Sequence, residues 1–230
     1  MTAVLFDLDG TLVDSEPNYF EAGRRTLAGY GATGFDWERH TDFIGIGTRE
    51  TLEALRAEYA IDAPLEELLA AKNGHYLELA RAGTPVFAGM RRFVERLHAE
   101  GVPMAVASGS SRATIGAVLA GTGLAGYFPV LVSAEEVPRG KPEPDVFLEA
   151  ARRLGSAPAD CVVVEDAPPG AAAAHAAGMR CVAVPYVPAT AEDPAFLRAG
   201  LVFPDGQDTF DPEVAYAYVT GRGGRRLPGA

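Results

Sequence analysis

The sequence predicts an α/β protein: a parallel sheet with helices on both faces, and an all-helical block inserted after the first strand. Three observations predict it. Short apolar runs recur along the chain, from Val4-Leu5-Phe6 to Leu201-Val202-Phe203, which is the texture of strands buried on both faces. From Pro85 onward these runs alternate with amphipathic stretches of about ten residues, the spacing of helices that return the chain to start a parallel neighbour. Between residues 16 and 83, by contrast, no strand pattern occurs.

Taken in order, the first strand runs from Val4 to Phe6 and Gly10 breaks it. Asp14 or Ser15 can cap the next helix, with Pro17 in the first turn, where a missing N–H is tolerated. That helix ends near Gly29 or Gly31. Leu52, Leu55 and Tyr59 recur at helical spacing over residues 48–59; Leu65, Leu68, Leu69, Tyr76 and Leu79 do so over 64–82. The alternating part follows. Residues 89–100 form a helix with Met90, Phe93, Val94 and Leu97 on one stripe and Gly101 as its stop. Strands are expected at 104–107, 130–132, 161–164 and 181–184, with a short last one at 201–203. The helices between them are expected at 111–119, 144–154 and 167–177, the latter two stopped by Gly155 and Gly178. The result is a Rossmann-like core of residues 1–15 and 84–230, interrupted by a helical cap of residues 16–83. The cap joins the core only near Ser15 and near Thr84-Pro85, so a hinge is expected there. Residues 220–230, rich in glycine and arginine, are expected to be a flexible tail.

Bulk composition narrows the function. At 230 residues the chain holds one large domain or two modest ones, and 48% hydrophobic content supports an ample core. Thirty-one acidic against 20 basic residues gives a net charge of −11, which argues against a nucleic-acid partner. A small anionic substrate remains compatible, because a local metal or lysine outweighs global charge. The chain enters a strand directly after Met1-Thr2-Ala3, leaving no room for a signal peptide, and no apolar run reaches the roughly 18 residues of a membrane helix. A cytoplasmic protein without a membrane partner is expected. Cys161 and Cys181 each open an apolar run and read as buried free thiols. Oligomeric state does not follow from the sequence, and a monomer fits it.

Ligands of open parallel sheets bind beyond the carboxyl ends of the strands. The first strand ends in Asp7 and Asp9, two carboxylates that an extended chain points to one face. The second ends in Ser108-Gly109-Ser110, before a helix whose first turn favours anions. Arg139-Gly140-Lys141-Pro142 precedes the helix after the third strand, and Glu165-Asp166 ends the fourth. Each piece has a plainer alternative: Glu165-Asp166 as a helix N-cap, Ser108 as a turn residue, Lys141 as a solvated lysine. Acid, hydroxyl, lysine and acid at four consecutive strand ends are together unexplained by those alternatives. They fit phosphoryl transfer. The carboxylates suit a hard ion such as Mg2+, while the metal, Lys141, Ser108 and backbone amides neutralise phosphate oxygens. One carboxylate can then attack phosphorus and the other can move protons.

These residues resemble the haloacid dehalogenase superfamily, in its phosphatase and phosphoglucomutase-like branch with a helical cap. The resemblance is carried by Asp7-Leu8-Asp9-Gly10-Thr11-Leu12-Val13-Asp14-Ser15, Ala107-Ser108-Gly109-Ser110, Gly140-Lys141-Pro142-Glu143-Pro144-Asp145 and Val164-Glu165-Asp166 with Gly170. It implies Asp7 as nucleophile and Asp9 as general acid and base. Asp9, Gly10, Ser108, Gly109 and Lys141 are implied as the phosphate site. Asp7, the Asp9 carbonyl and Asp166 are implied as Mg2+ ligands, with Glu165 assisting directly or through water. A phosphatase acting on a small phosphorylated metabolite, such as a sugar phosphate, is the expected activity. A hexose phosphate mutase is the alternative, because Arg49 and Lys72-Asn73 resemble cap residues that bind sugar phosphates; Tyr19, where that branch commonly has histidine, argues against it. Dehalogenases and phosphonate hydrolases lack an acid at the place of Asp9. A receiver-like phosphoacceptor module is a further alternative, but it needs about half this length and no inserted helices. The residue after Asp166, commonly serine or threonine, is Ala167, so a hydroxyl supporting Asp166 is missing there.

Overall fold

The computed structural model describes residues 2–44 and 46–221. The chain divides into two compact units, Met1–Asp14 with Pro85–Ala230, and Ser15–Thr84.

The larger unit is built on six parallel strands: β1 (Ala3–Phe6), β2 (Met104–Ser108), β3 (Val130–Ser133), β4 (Cys161–Glu165), β5 (Arg180–Ala183) and β6 (Leu201–Val202). Their order across the sheet is β3-β2-β1-β4-β5-β6. The chain therefore lays strands to one side of β1 and then to the other, so the reversal of direction falls at β1 and β4, where ligands bind in such sheets. β1 and β4 are entirely buried. Alternation assigns their side chains to two apolar faces. Ala3 and Leu5 join Val163, Phe147, Ala171 and Phe196 in one cluster. On the other face the Phe6 ring meets Phe93 and Phe128 edge-on, at 5.9 and 5.7 Å between centroids. Burial on both sides explains why the strands read as unbroken apolar runs.

Among the described residues the smaller unit has four helices: α1 (Glu16–Gly29), α2 (Trp37–Thr41), α3 (Thr48–Glu58) and α4 (Leu65–Ala82). Its own core gathers Leu27, Phe35, Leu52, Leu55, Ile61 and Leu68. Ser15 stands at the N-cap of α1 as expected, yet it makes no capping bond: its backbone is helical and its buried Oγ has no hydrogen-bond partner. Asp14 does not cap either, because its Oδ1 accepts from Tyr186 Oη at 2.9 Å. A capping side chain needs an extended backbone at this position, which Ser15 lacks.

The remaining helices of the larger unit are α5 (Ala88–Ala99), α6 (Arg112–Thr122), α7 (Asp145–Leu154), α8 (Pro168–Ala176), α9 (Pro194–Leu197) and α10 (Pro212–Thr220). α2, α9 and α10 were not expected. The first two, of five and four residues, are too short to show a period. α10 carried a usable signal: Asp211 accepts from the N–H of Glu213 and Val214, proline follows, and Gly221 closes the helix at φ 68°. The expected tail begins inside α10, which runs to Thr220; residues 222–230 lie outside the described residues. Among the described residues no helix is long and apolar enough to cross a membrane.

Candidate active site

The end of β1 sets the geometry. The Asp7 N–H donates to the Val164 carbonyl at 3.0 Å, extending the β1–β4 ladder one residue and fixing Asp7 beside the end of β4. The chain then folds back, with Leu12 N–H on the Leu8 carbonyl and Gly10 N–H on the Val13 carbonyl. Gly10 sits at φ 81°, and a Cβ there would overlap the Asp166 carboxylate. Glycine thus serves both the turn and the close approach of Asp166.

Lys141, in the loop before α7, reaches between two acids. Its Nζ lies 2.5 Å from Asp7 Oδ1 and 2.6 Å from Glu165 Oε1. The other Glu165 oxygen, Oε2, accepts from the N–H groups of Asp166 and Ala167. The carboxylate lies against Gly170 in α8, where a Cβ would overlap it. Asp166 Oδ1 accepts from Thr11 Oγ1 at 2.8 Å, so the hydroxyl missing at Ala167 comes from the turn after β1. Neither acid caps α8: the cap position is Ala167 and has no side-chain bond.

β2 brings Ser108, buried, with its Oγ accepting from the Ser110 N–H at 3.0 Å. Ser110 Oγ in turn donates to Asp9 Oδ2 at 2.6 Å. Gly109 has open space where a side chain would stand. Ser111 caps α6 by accepting from the Thr114 N–H.

Charge is concentrated here. Asp7, Glu165 and Asp166 each offer an oxygen, all within 4.8 Å of one another, and the first two share one lysine. Burial, with the charges of Glu165 and Asp9 adding to it against Lys141, pushes Asp7 up to about 7. Burial and the charges of Glu165 and Asp7 push Asp166 well above the usual carboxylate range. For Lys141 burial disfavours the charge, but Asp7 and Glu165 outweigh it and its pKa rises. Carboxylates that crowd one another at the expense of their ionised forms are the donor set of a divalent cation, whose charge reverses that expense. The residues present fit Mg2+.

In the helical unit, Arg49 is exposed and pairs with Glu66 at 2.8 Å. Lys72 is buried, its Nζ 5.4 Å from the centroid of Tyr19, which stacks on Tyr76. Burial lowers its pKa to about 8 despite the charge of Glu16. Cys161 and Cys181 are both buried free thiols. Sequence reasoning missed Thr11, Ser110 and Tyr186 as members of the site's surroundings. Thr11 and Ser110 lay inside the quoted motifs, and only their hydroxyls signalled them; Tyr186 acts through a partner 172 positions away.

Residues 1–178 match the haloacid dehalogenase-like hydrolase family. The chain is 36% identical over 191 residues to a bifunctional riboflavin kinase/FMN phosphatase of Arabidopsis thaliana; the match takes in 81% of this chain but only about half (49%) of that protein's length. It is 32% identical to a phosphorylated carbohydrates phosphatase of Thermotoga maritima, covering 88% of this chain and 93% of the relative. To a β-phosphoglucomutase of Bacillus subtilis it is 33% identical, covering 80% and 83%. Among solved structures, a CbbY variant from Rhodobacter sphaeroides, crystallised with xylulose-(1,5)bisphosphate, superposes with a TM-score of 0.76 at 25% identity, covering 92% of this chain and 99% of that one.

Proposed function

The chain belongs to the haloacid dehalogenase-like hydrolases, and on that footing we propose that it is a phosphoric monoester hydrolase: a Mg2+-dependent phosphatase that hydrolyses a small phosphorylated metabolite, such as a sugar phosphate, through an aspartyl-phosphate. The observation that carries the reading is the contact of Lys141 with Asp7 and Glu165 at the ends of β1 and β4, beside Asp166.

Asp7 attacks. Its oxygen bonds to phosphorus as the bond from phosphorus to the leaving oxygen breaks. Asp9 gives its proton to the departing oxygen, then takes one from the water that releases inorganic phosphate and restores Asp7. Lys141 favours the ionised form of Asp7 and, with the Ser108 hydroxyl and the amides of Gly10 and Gly109, holds phosphoryl oxygens. Asp7, the Asp9 carbonyl and Asp166 would hold Mg2+, with Glu165 assisting. When bound, the ion supplies positive charge that balances the phosphoryl oxygens and the acids. Discrimination among substrates falls to the helical unit, through Lys72 and Arg49.

A hexose phosphate mutase is the second reading, favoured by the Bacillus relative. A panel of phosphorylated metabolites, assayed for phosphate release with and without Mg2+, tests the first. Release that requires Mg2+ is expected from at least one sugar phosphate, and a panel without release overturns it. β-Glucose 1-phosphate followed by phosphorus NMR separates the two, because conversion to glucose 6-phosphate without inorganic phosphate would establish the mutase.

A further inference from the structure

Ser110 is held on every polar atom of its backbone by hydroxyls of the two strands beside it. Its N–H donates to Ser108 Oγ at 3.0 Å, and its carbonyl accepts from Ser133 Oγ at 2.7 Å. Ser108 and Ser133 are register partners at the ends of β2 and β3, and both are buried. Proton bookkeeping fixes the directions. Ser133 Oγ accepts from the Glu135 N–H, and its one proton goes to the Ser110 carbonyl. The Ser110 backbone is thereby clamped from both sides, and the one proton of its hydroxyl is aimed at Asp9 Oδ2, 2.6 Å away.

We propose that Ser110 is the positioning residue for proton transfer, its hydroxyl fixing the carboxyl of Asp9. The proposal rests on the reading of Asp9 as acid and base. An aspartate at a strand end has rotamer freedom, and a displacement of about 1 Å in a reacting group costs about 100-fold. As the bond to phosphorus breaks, its electron pair stays on the leaving oxygen, which takes the Asp9 proton. The carboxylate left behind keeps the Ser110 hydrogen bond, and it is in the same place when water must be deprotonated.

A leaving group that departs readily as an anion needs that proton little, and a basic one needs it fully. The test is the dependence of kcat/KM on leaving-group basicity in a series of aryl phosphates, from p-nitrophenyl to phenyl phosphate and beyond, for the wild type, Ser110→Ala, Ser110→Thr and Asp9→Ala. The loss in Ser110→Ala is expected to grow from about twofold at the p-nitrophenyl end to about tenfold or more at the basic end, within the range of general acid catalysis. Ser110→Thr, which keeps the hydroxyl, is expected to restore the wild-type slope. A loss in Ser110→Ala that is uniform along the series, or no loss, overturns the proposal while a steepened Asp9→Ala slope leaves the acid assignment standing. An unchanged slope in Asp9→Ala overturns the acid assignment itself, and with it the role of Ser110.

Discussion

Each unit of this chain holds one lysine largely out of solvent, and the two are held differently. Lys141 in the sheet unit lies between Asp7 and Glu165, and their charges hold its proton against the effect of burial. Lys72 in the helical unit faces the ring of Tyr19 and, among the described residues, forms no salt bridge; there burial wins and its pKa falls to about 8. The same side chain is thus a permanent cation in one unit and a titrating one in the other. Desolvation is common to both, and the difference comes from carboxylates within hydrogen-bond reach.

The strongest way to break this comparison acts on Lys141's partner. Asp7→Asn is expected to lower turnover on the order of a thousandfold or more, with an unchanged circular dichroism spectrum. Substantial residual turnover would refute the nucleophile. Lys141→Met is expected to lower kcat/KM by about 100-fold. It should also destabilise the fold by about 3 kcal/mol in urea titration, because it leaves Asp7 and Glu165 buried without their cation. A stable Lys141→Met would show the ion pair to be dispensable. Thr11→Val removes the hydroxyl on Asp166, and the Mg2+ concentration for half-maximal activity should rise about tenfold; an unshifted Mg2+ dependence removes Asp166 from the metal set.

Lys72→Met gives the smallest effect and the opposite sign. The folded state holds the Lys72 proton to about 8, below the ordinary 10.5, so between these values the unfolded chain binds more protons. Stability therefore rises with pH across that window. Lys72→Met should melt higher than the wild type at pH 7, and the gain should fade as pH rises from about 8 towards 10.5. A gain independent of pH would assign the effect to packing.

The elements that sequence made legible are those with a period to read. β1 and β4 are apolar because both faces are covered, and α5 shows its stripe of Met90, Phe93, Val94 and Leu97 on the buried side. The placing of Asp7, Ser108, Lys141 and Glu165-Asp166 after successive strands followed from the topology alone. What stayed hidden depends on pairs that only the fold creates. Thr11 meets Asp166 across 155 positions, and Ser110 meets Asp9 across 101. The cap at Ser15 failed for a local reason, since a residue of the right type stands in a backbone conformation that does not present it.

Gly170 turns a rule of protein engineering around. It lies in the first turn of α8, just before the alanine run Ala171 to Ala174, and replacing a helical glycine by alanine ordinarily stabilises by about 1 kcal/mol. Here the methyl group would occupy the volume filled by the Glu165 carboxylate. Displacing that carboxylate releases Lys141, and Lys141 in turn governs Asp7. Helix propensity alone would favour alanine at a position where the added methyl breaks the Glu165–Lys141–Asp7 chain, so both the fold and turnover depend there on the absence of one carbon atom.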